Sequence, residues 1–341
     1  MDQIQQAARE ANPCGVSENA APRVAVIIVN YNGGAMLERC IEALGRQTFR
    51  DFRTVVVDNA SSDGSADGLE ERHPGVELVR AGENLGFAAG NNLGVRHAAG
   101  AEWIALLNPD AYAAPDWLAR LMQAAASSGF DFFGCRMRLA DTPHLLDGTA
   151  DVYHVSGLAW RRDHGAPVIS GAARAEEIFG PCAAAALYRR ADFEAVGGFD
   201  ESYFCYFEDV DLAFRLRLAG LRCAYVPEAV VDHVSSGISG RRSDFATYHG
   251  HRNLVWTYVK DMPALLFWLY LPMHLVANLV AIVVCARRGQ LRVVLRAKRD
   301  ALAGLPRVLR ARRAVQAQCR ATPARLRAVM ARGFGALFGR A

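Results

Sequence analysis

Five consecutive apolar residues, Trp103 to Leu107, run into Asn108-Pro109-Asp110-Ala111, where an amide and a carboxylate flank a proline. An apolar run without alternation suits a strand covered on both faces, as in the middle of a parallel sheet. In open α/β sheets ligands sit beyond the carboxyl ends of the strands, so Asn108 and Asp110 are placed to reach one. Asn, Pro and Asp are also common turn formers, and an ordinary turn is the competing reading.

The same rhythm recurs upstream. Val24 to Val29 stops at Asn30-Tyr31-Asn32-Gly33-Gly34, and the next segment places Met36, Leu37, Cys40, Ile41 and Leu44 on one helical face. Thr54 to Val57 runs into the polar turn Asp58 to Ser65. A strand near Val76 to Val79, a Gly/Asn loop over 82–90 and a helix over Ala88 to Ala98 follow. This alternation predicts right-handed βαβ units in a mostly parallel sheet flanked by helices, with polar strand ends at Asn30, Asp58 and Asn108 on one edge. A nucleotide is the expected guest, although the chain has neither a dinucleotide glycine fingerprint after its first strand nor a P-loop. Further on, the pattern predicts a helix from Asp116 to Ala126, a strand over Phe130 to Leu139, and loops with short strands across 141–178. After these come a small-residue strand in 180–190, a helix over Ala191 to Val196, another over Val210 to Ala219, and a short strand, Cys223 to Val226, ended by Pro227.

Three carboxylates, Glu208, Asp209 and Asp211, open the second of those helices behind the aromatic run Tyr203 to Phe207. Acids in a first turn are favoured by the helix dipole whatever else they do. Held against Phe204, Tyr206 and Phe207, however, they would be partly desolvated, which raises a carboxyl pKa toward that of a useful general base. His233 follows the apolar pair Val230-Val231; a lone histidine is more often a satisfied structural residue than a ligand.

The net charge of +4 conceals a split: residues 286–341 carry 15 Lys or Arg against Asp300 alone, +14, leaving 4 − 14 = −10 for residues 1–285. A basic tail on an acidic body points to an anionic surface, membrane or nucleic acid. Eight cysteines are scattered without a CxxC pair, which favours reduced thiols over a disulfide framework or a zinc site. The polar residues 1–22 read as a flexible leader without a secretory pattern. From Pro263 to Cys285 no Lys, Arg, Asp or Glu occurs, long enough to cross a bilayer, but Pro272, His274 and Asn278 interrupt it. A single span would put the basic tail opposite a cytosolic nucleotide site, against the positive-inside rule, so a re-entrant or interfacial segment is expected, followed by a lipid-facing helix over Leu291 to Gln316. A helical appendage to the core or an oligomer interface is the alternative.

Seven segments in order resemble the inverting family 2 glycosyltransferases of GT-A fold, most closely the rhamnosyltransferase-like branch. They are Val29-Asn30-Tyr31-Asn32, Asp58 to Ser65, Asn84 to Asn92, Leu107 to Ala111, Gly197 to Asp200, Phe207 to Asp211 and Arg252-Asn253, across about residues 24–260. The resemblance implies a GT-A catalytic domain over 23–260, divided into a nucleotide-sugar half (23–125) and an acceptor and catalytic half (126–260); 261–341 reads from its composition as a membrane-associated helical region. It implies that Asp58 reads the nucleobase, with Asn30, Tyr31, Asn32, Asn84, Gly86, Asn91, Asn108 and Arg252 around the nucleotide-sugar, and His251 beside Arg252 at the diphosphate. Asn108-Pro109-Asp110 stands where the family has D-x-D, which makes Asp110 a metal ligand and His233 a further one, for Mg²⁺ or Mn²⁺; Asn in first place leaves one charge fewer. Asp209 is implied as the base, with Glu208 and Asp211 as alternatives.

These readings converge on an inverting glycosyltransferase at the cytoplasmic face of the inner membrane, peripheral or re-entrant. It would pass a sugar, dTDP-L-rhamnose being the favoured donor, to a lipid-linked glycan for surface polysaccharide or cell wall, without nucleic acid. The rivals are a nucleotidyltransferase, expected to carry a Gly-rich basic loop where this chain has Asn30 to Gly34, and a non-catalytic protein binding membrane or nucleic acid through the arginine tail.

Overall fold

The computed structural model describes residues 22–169, 175–235 and 243–333, so the leader lies outside the described residues except for Pro22. Twelve strands are described: β1 (Val24–Asn30), β2 (Phe52–Asp58), β3 (Val76–Arg80), β4 (Trp103–Leu107), β5 (Ala111–Ala113), β6 (Phe132–Leu139), β7 (Thr142–Gly148), β8 (Asp151–Tyr153), β9 (Ala159–Arg161), β10 (Glu176–Ile178), β11 (Ala185–Arg189) and β12 (Cys223–His233). Ten form one sheet in the order β10-β12-β6-β11-β4-β1-β2-β3, with β5 added on β12 and β7 on β6; β8 and β9 make a separate hairpin. The sheet crosses the expected half-domain boundary at residue 125 without a break.

The first four strands are parallel, as their apolar runs require, and β1 pairs with β2 in register, so that Asn30 and Asp58 end side by side. Alternate residues of β1 divide the core. Val24, Val26 and Ile28 face the helix Gly34–Gly45, while Ala25 and Ile27 face the helix Gly86–His97. Gly94 makes the second packing possible, because a Cβ there would lie 2.4 Å from Ile27. Beyond β4 the parallel expectation fails. Strand β11 inserts antiparallel between β4 and β6, and the sheet is mixed. Its small residues, Ala185 and Ala186, let it fit where both faces are already covered.

Pro227 does not end β12. The strand runs to His233, with the register slipping between Val226 and Val230, so the residue without an N–H sits in a bulge and takes no ladder bond. This extension pairs His233 with Ala111 across β5.

After the helix Asp244–Asp261, the apolar segment forms one continuous helix, Ala264–Arg287, through Pro272. The interruptions expected at His274 and Asn278 are packed instead, His274 against the catalytic domain and Asn278 against the helix Leu291–Ala303. His274 stacks on Tyr258 at 3.8 Å, its Nδ1 lies 2.9 Å from the Ser156 carbonyl oxygen, and Asn278 accepts from Lys298 Nζ. The expected single helix over Leu291 to Gln316 is two, Leu291–Ala303 and Leu305–Ala317, broken at Gly304 where the chain passes over Trp256. The Trp256 indole donates to the Ala301 carbonyl at 3.0 Å, and Arg307 and Arg252 lie over its ring. Part of the basic tail is thus spent on the domain. Because a Cβ at Gly304 would lie 2.7 Å from that ring, Gly304→Ala is expected to destabilise by about 1–3 kcal/mol through overpacking, read as a lower urea midpoint at unchanged slope.

Candidate active site

A cleft of about 600 Å³ opens beyond the carboxyl ends of β1 and β4. Tyr31, Asn84, Asn108, Asp110, Glu208, Asp209 and His233, all singled out in the sequence, line it. Residues 123 positions apart meet because β12 runs back along β5: His233 stands opposite Ala111, and the Val234 N–H donates to the Asp110 carbonyl at 3.0 Å.

His233 Nε2 lies 3.2 Å from Asp110 Oδ1 but makes no hydrogen bond of proper geometry, and both side chains are buried. The other ring nitrogen, Nδ1, is held 2.8 Å from Asp147 Oδ2. Asp147, fully buried, also pairs with Arg161. Burial alone would raise its pKa, yet the contacts with His233 and Arg161 hold it well below the usual carboxylate range. Burial likewise opposes a charge on His233, but Asp110 and Asp147 outweigh it and hold the imidazole above its ordinary value. An unsatisfied buried nitrogen beside a carboxylate, with the far nitrogen anchored by a second carboxylate, is a donor set that suits a divalent cation.

The acidic helix spans Glu208–Leu218, and its three carboxylates have separate fates. Asp211 is fully buried away from the cleft. Arg215 donates to it at 2.9 Å, Tyr203 at 3.0 Å, and Lys260 pairs with it; although burial pushes the other way, Arg215 and Lys260 hold its carboxyl well below the ordinary range. This corrects the expectation that Asp211 is a possible base, because its lone pairs are engaged by cations. Glu208 lines the cleft, but burial and the neighbouring Asp209 push its pKa well above the carboxylate range, and its Oε2 has no hydrogen-bond partner. A neutral acid accepts no proton as a base. Asp209 alone stays half-exposed, its carboxylate 3.4 Å from the Ala183 N–H and 2.8 Å from the Val210 N–H, both donating.

The helix is aimed by a turn in which Phe204, Tyr206 and Phe207 adopt φ of 65°, 68° and 71°, values that bulky side chains rarely take. Asn253 holds it: its Nδ2 donates to the carbonyls of Tyr203, Cys205 and Tyr206 at 3.0, 3.0 and 2.7 Å. Arg252 donates to the carbonyls of Ser202 and Tyr203 and lies over Trp256, which corrects its expected diphosphate contact; His251 faces Cys285. Gly86, at φ +78°, lies where a Cβ would meet Phe204 at 2.6 Å, and the next two N–H groups donate to the Phe204 carbonyl. Gly86 therefore serves the turn, not the ligand. Asn91 is likewise turned inward, onto the Phe87 carbonyl.

Asn30 and Asn32 do not line the cleft either. Asn30 Nδ2 donates to Ser61 and Ser65, and Asn32 Oδ1 accepts from the Ser62 N–H, so both clamp the turn after β2. Asp58 accepts from the Ser61 N–H and pairs with Arg80 at 3.3 Å, on the same sheet edge. Cys182 and the pair Asp147 and Arg161 were not singled out in the sequence. They lie in or beside 141–178, where no periodicity marks them, and the resemblance covers them with no motif.

A mixed sheet whose strand ends present a carboxylate–imidazole pair beside a half-exposed carboxylate fits a glycosyltransferase of GT-A architecture. The family model for glycosyl transferase family 2 matches residues 25–197, and the chain belongs to that family. It is 32% identical over 256 residues to the N-acetylglucosaminyl-diphospho-decaprenol L-rhamnosyltransferase of Mycobacterium tuberculosis, covering 66% of this chain and 80% of that one. The rhamnosyltransferase WbbL of Escherichia coli is 28% identical over 220 residues, 60% of this chain and 80% of the other. Two solved structures share the fold: the mannosyltransferase PcManGT of Pyrobaculum calidifontis with GDP-Man and Mn²⁺ (TM-score 0.53, 21% identity, 99% of this chain and 94% of that one) and GalNAc-T7 with UDP, GalNAc and Mn²⁺ (0.58, 17%, 71% and 48%).

Asp211 tests the division of labour among the acids. A carboxyl whose folded pKa is depressed contributes stability above its unfolded value, about 3.9, and loses it as the pH falls through the folded value. Asp211→Asn is therefore expected to cost about 3 kcal/mol or more at pH 7, leaving Arg215 short of its counter-charge. Its urea-unfolding free energy should fall less between pH 5 and pH 2 than that of the wild type.

Proposed function

We propose that the protein transfers L-rhamnose, with inversion, from a nucleoside-diphosphate donor such as dTDP-L-rhamnose to a lipid-linked sugar at the cytoplasmic membrane face. The observation that carries the reading is the meeting of Asp110 and His233 with the half-exposed carboxylate of Asp209 in one cleft. The relatives named as rhamnosyltransferases, one of them acting on a diphospho-decaprenol sugar, support the donor and acceptor classes.

Asp209 takes the proton of the acceptor hydroxyl while that oxygen bonds to the anomeric carbon and the bond to the diphosphate breaks, its electron pair leaving on the phosphate oxygen. Asp110 and His233 would hold a divalent cation, Mn²⁺ or Mg²⁺, which when bound offsets the charge of the diphosphate leaving group. Asn108 and Tyr31 flank the donor in the cleft, and Asp58 accepts from the nucleobase. Glu208, kept neutral, adds no repulsion toward the phosphates.

The membrane reading is supported by one face of the helix Ala264–Arg287. Leu265, Trp268, Leu269, Leu275, Val276, Leu279, Val280 and Val283 are all more than half exposed at helical spacing, whereas His274 on the opposite face is buried in the domain. A spanning helix would carry its packed polar face into lipid, so this helix lies in the interface with its apolar side down. Exposed arginines, including Arg287, Arg288, Arg292 and Arg299, meet anionic headgroups. The hairpin β8–β9 joins this helix to the cleft: Ser156, in its turn, contacts His274, and Arg161, at its end, lines the cleft.

Release of nucleoside diphosphate from a panel of nucleotide-sugars, with the protein on vesicles, tests the class and the donor together. Asp209→Asn is expected to lower turnover ~10²-fold or more while donor binding survives. EDTA and Asp110→Ala should both abolish turnover; turnover that survives EDTA removes the metal from the reading. In flotation, the protein should rise with phosphatidylglycerol vesicles and much less with phosphatidylcholine ones, and Trp268→Glu with Leu279→Glu should keep it at the bottom of the gradient.

A further inference from the structure

We propose that Asp151 is the positioning residue of the base: its carboxyl shares a single proton with Asp209 and donates it as a hydrogen bond, which fixes the Asp209 carboxylate toward the acceptor. The proposal rests on the reading of Asp209 as the base.

Asp151 opens β8, where its backbone N–H donates to the Gly180 carbonyl at 2.9 Å, and it is 7% exposed. Its carboxyl lies beside that of Asp209, the two carboxyls and Cys182 Sγ falling within 4.8 Å of one another. Two neighbouring carboxyls, one of them buried, resist ionising together, because each charge raises the cost of the other. The charge settles where it is best solvated. Asp209 has the open side of the cleft and two backbone N–H donors, whereas Asp151 is enclosed.

The cluster of two carboxyls and a thiol has the spacing of a cation site, but a cation is already built in. The Arg161 guanidinium lies 2.7 Å from Cys182 Sγ and pairs with Asp147. The groups facing Asp151 come from every element around it: Asp209 and Glu208 from the acidic helix, Arg161 from β9, Asp147 from β7, Tyr188 from β11, Cys223 from β12, and Cys182. Burial first, and then the charge of Asp209, hold the Asp151 carboxyl well above its ordinary range despite Arg161. Asp151 is therefore the protonated partner at neutral pH.

In the resting pair one proton is shared. During transfer the acceptor proton goes to the free oxygen of Asp209 as the acceptor oxygen bonds to the anomeric carbon and the diphosphate departs with its electron pair. The pair then carries two protons, and one returns to water when the product leaves. Raising the pH until Asp151 ionises replaces the hydrogen bond with repulsion and turns the base out of position. Activity thus falls on the alkaline side because of Asp151.

The test uses the full chain on phosphatidylglycerol vesicles, with dTDP-L-rhamnose and a polyprenyl-diphospho-N-acetylglucosamine as probes, and compares Asp151→Asn, Asp151→Ala and Asp209→Asn across pH. An amide still donates but cannot ionise, so Asp151→Asn should keep turnover within about threefold at pH 7 and lose the alkaline fall. Asp151→Ala should lose about tenfold or more. The infrared difference between wild type and Asp151→Asn should show a protonated carboxyl at pH 7 that the variant lacks, a readout independent of substrate and of whether the alanine variant folds. Equal loss in the Asn and Ala variants with an unmoved pH profile, or no carboxyl band in the difference spectrum, would overturn the proposal. Full activity in Asp209→Asn would overturn the base reading itself; an inactive Asp209→Asn beside an unmoved Asp151→Asn profile would sink the role of Asp151 alone.

Discussion

Carboxylates crowded at one sheet edge repel one another, and the rest of the site follows from how each charge is offset. Asp211 is matched by Arg215 and Lys260, and Asp147 by Arg161 and His233. Glu208 is kept neutral by burial and by its neighbour. Asp110 faces an imidazole nitrogen that is otherwise unsatisfied. Of these five, Asp209 is the half-exposed carboxyl that lines the cleft. Burying an unpaired carboxylate costs several kcal/mol, so the cations behind the acidic helix are what let three acids occupy its first turn.

The aim of that helix is a second consequence. Three aromatic residues in left-handed conformations cost on the order of 1–3 kcal/mol each and persist only where their surroundings hold them. Here the holding is done by one amide, Asn253, with Arg252, Gly86 and the N-terminus of the helix Gly86–His97. The Arg252-Asn253 pair therefore holds the turn that aims the acidic helix. Its helix, Asp244–Asp261, also carries Lys260, so one element supplies both the turn's donor and a counter-charge of the acidic helix.

The same economy extends to the apolar helix. Its polar residues look from the sequence like interruptions of a membrane segment, but His274 binds it to the domain and Asn278 to the helix that follows. What is left uncovered is a continuous apolar stripe, joined through the β8–β9 turn to the hairpin that carries Asp151 and Arg161. The exposed apolar stripe and the cleft are thus two ends of one short structural path.

Local chemistry made much of this legible. The unbroken apolar runs dictated β1, β2 and β4, since a strand covered on both faces has no polar positions, and the polar residues ending them marked the ligand edge. Asn108, Asp110 and Asp209, which line the cleft, sit in short contiguous motifs, whereas His233 stands alone in the sequence and reaches the cleft through β12. Other features depended on partners far away in the chain. Strand β11 runs antiparallel because of what it meets on either side, and Pro227 is tolerated because a bulge absorbs it. Asn30, Asn32, Asn91 and Arg252 have the side chains of binding residues, but their donors and acceptors are consumed by backbone groups that no local pattern announces. Asp151 and Asp147 carry no motif, and their protonation is set by a base, an imidazole and a guanidinium from other elements. Residue type and spacing determined which groups were available. Only the tertiary structure decided which were left free to act, because a side chain's charge and hydrogen-bonding capacity are settled by everything that surrounds it.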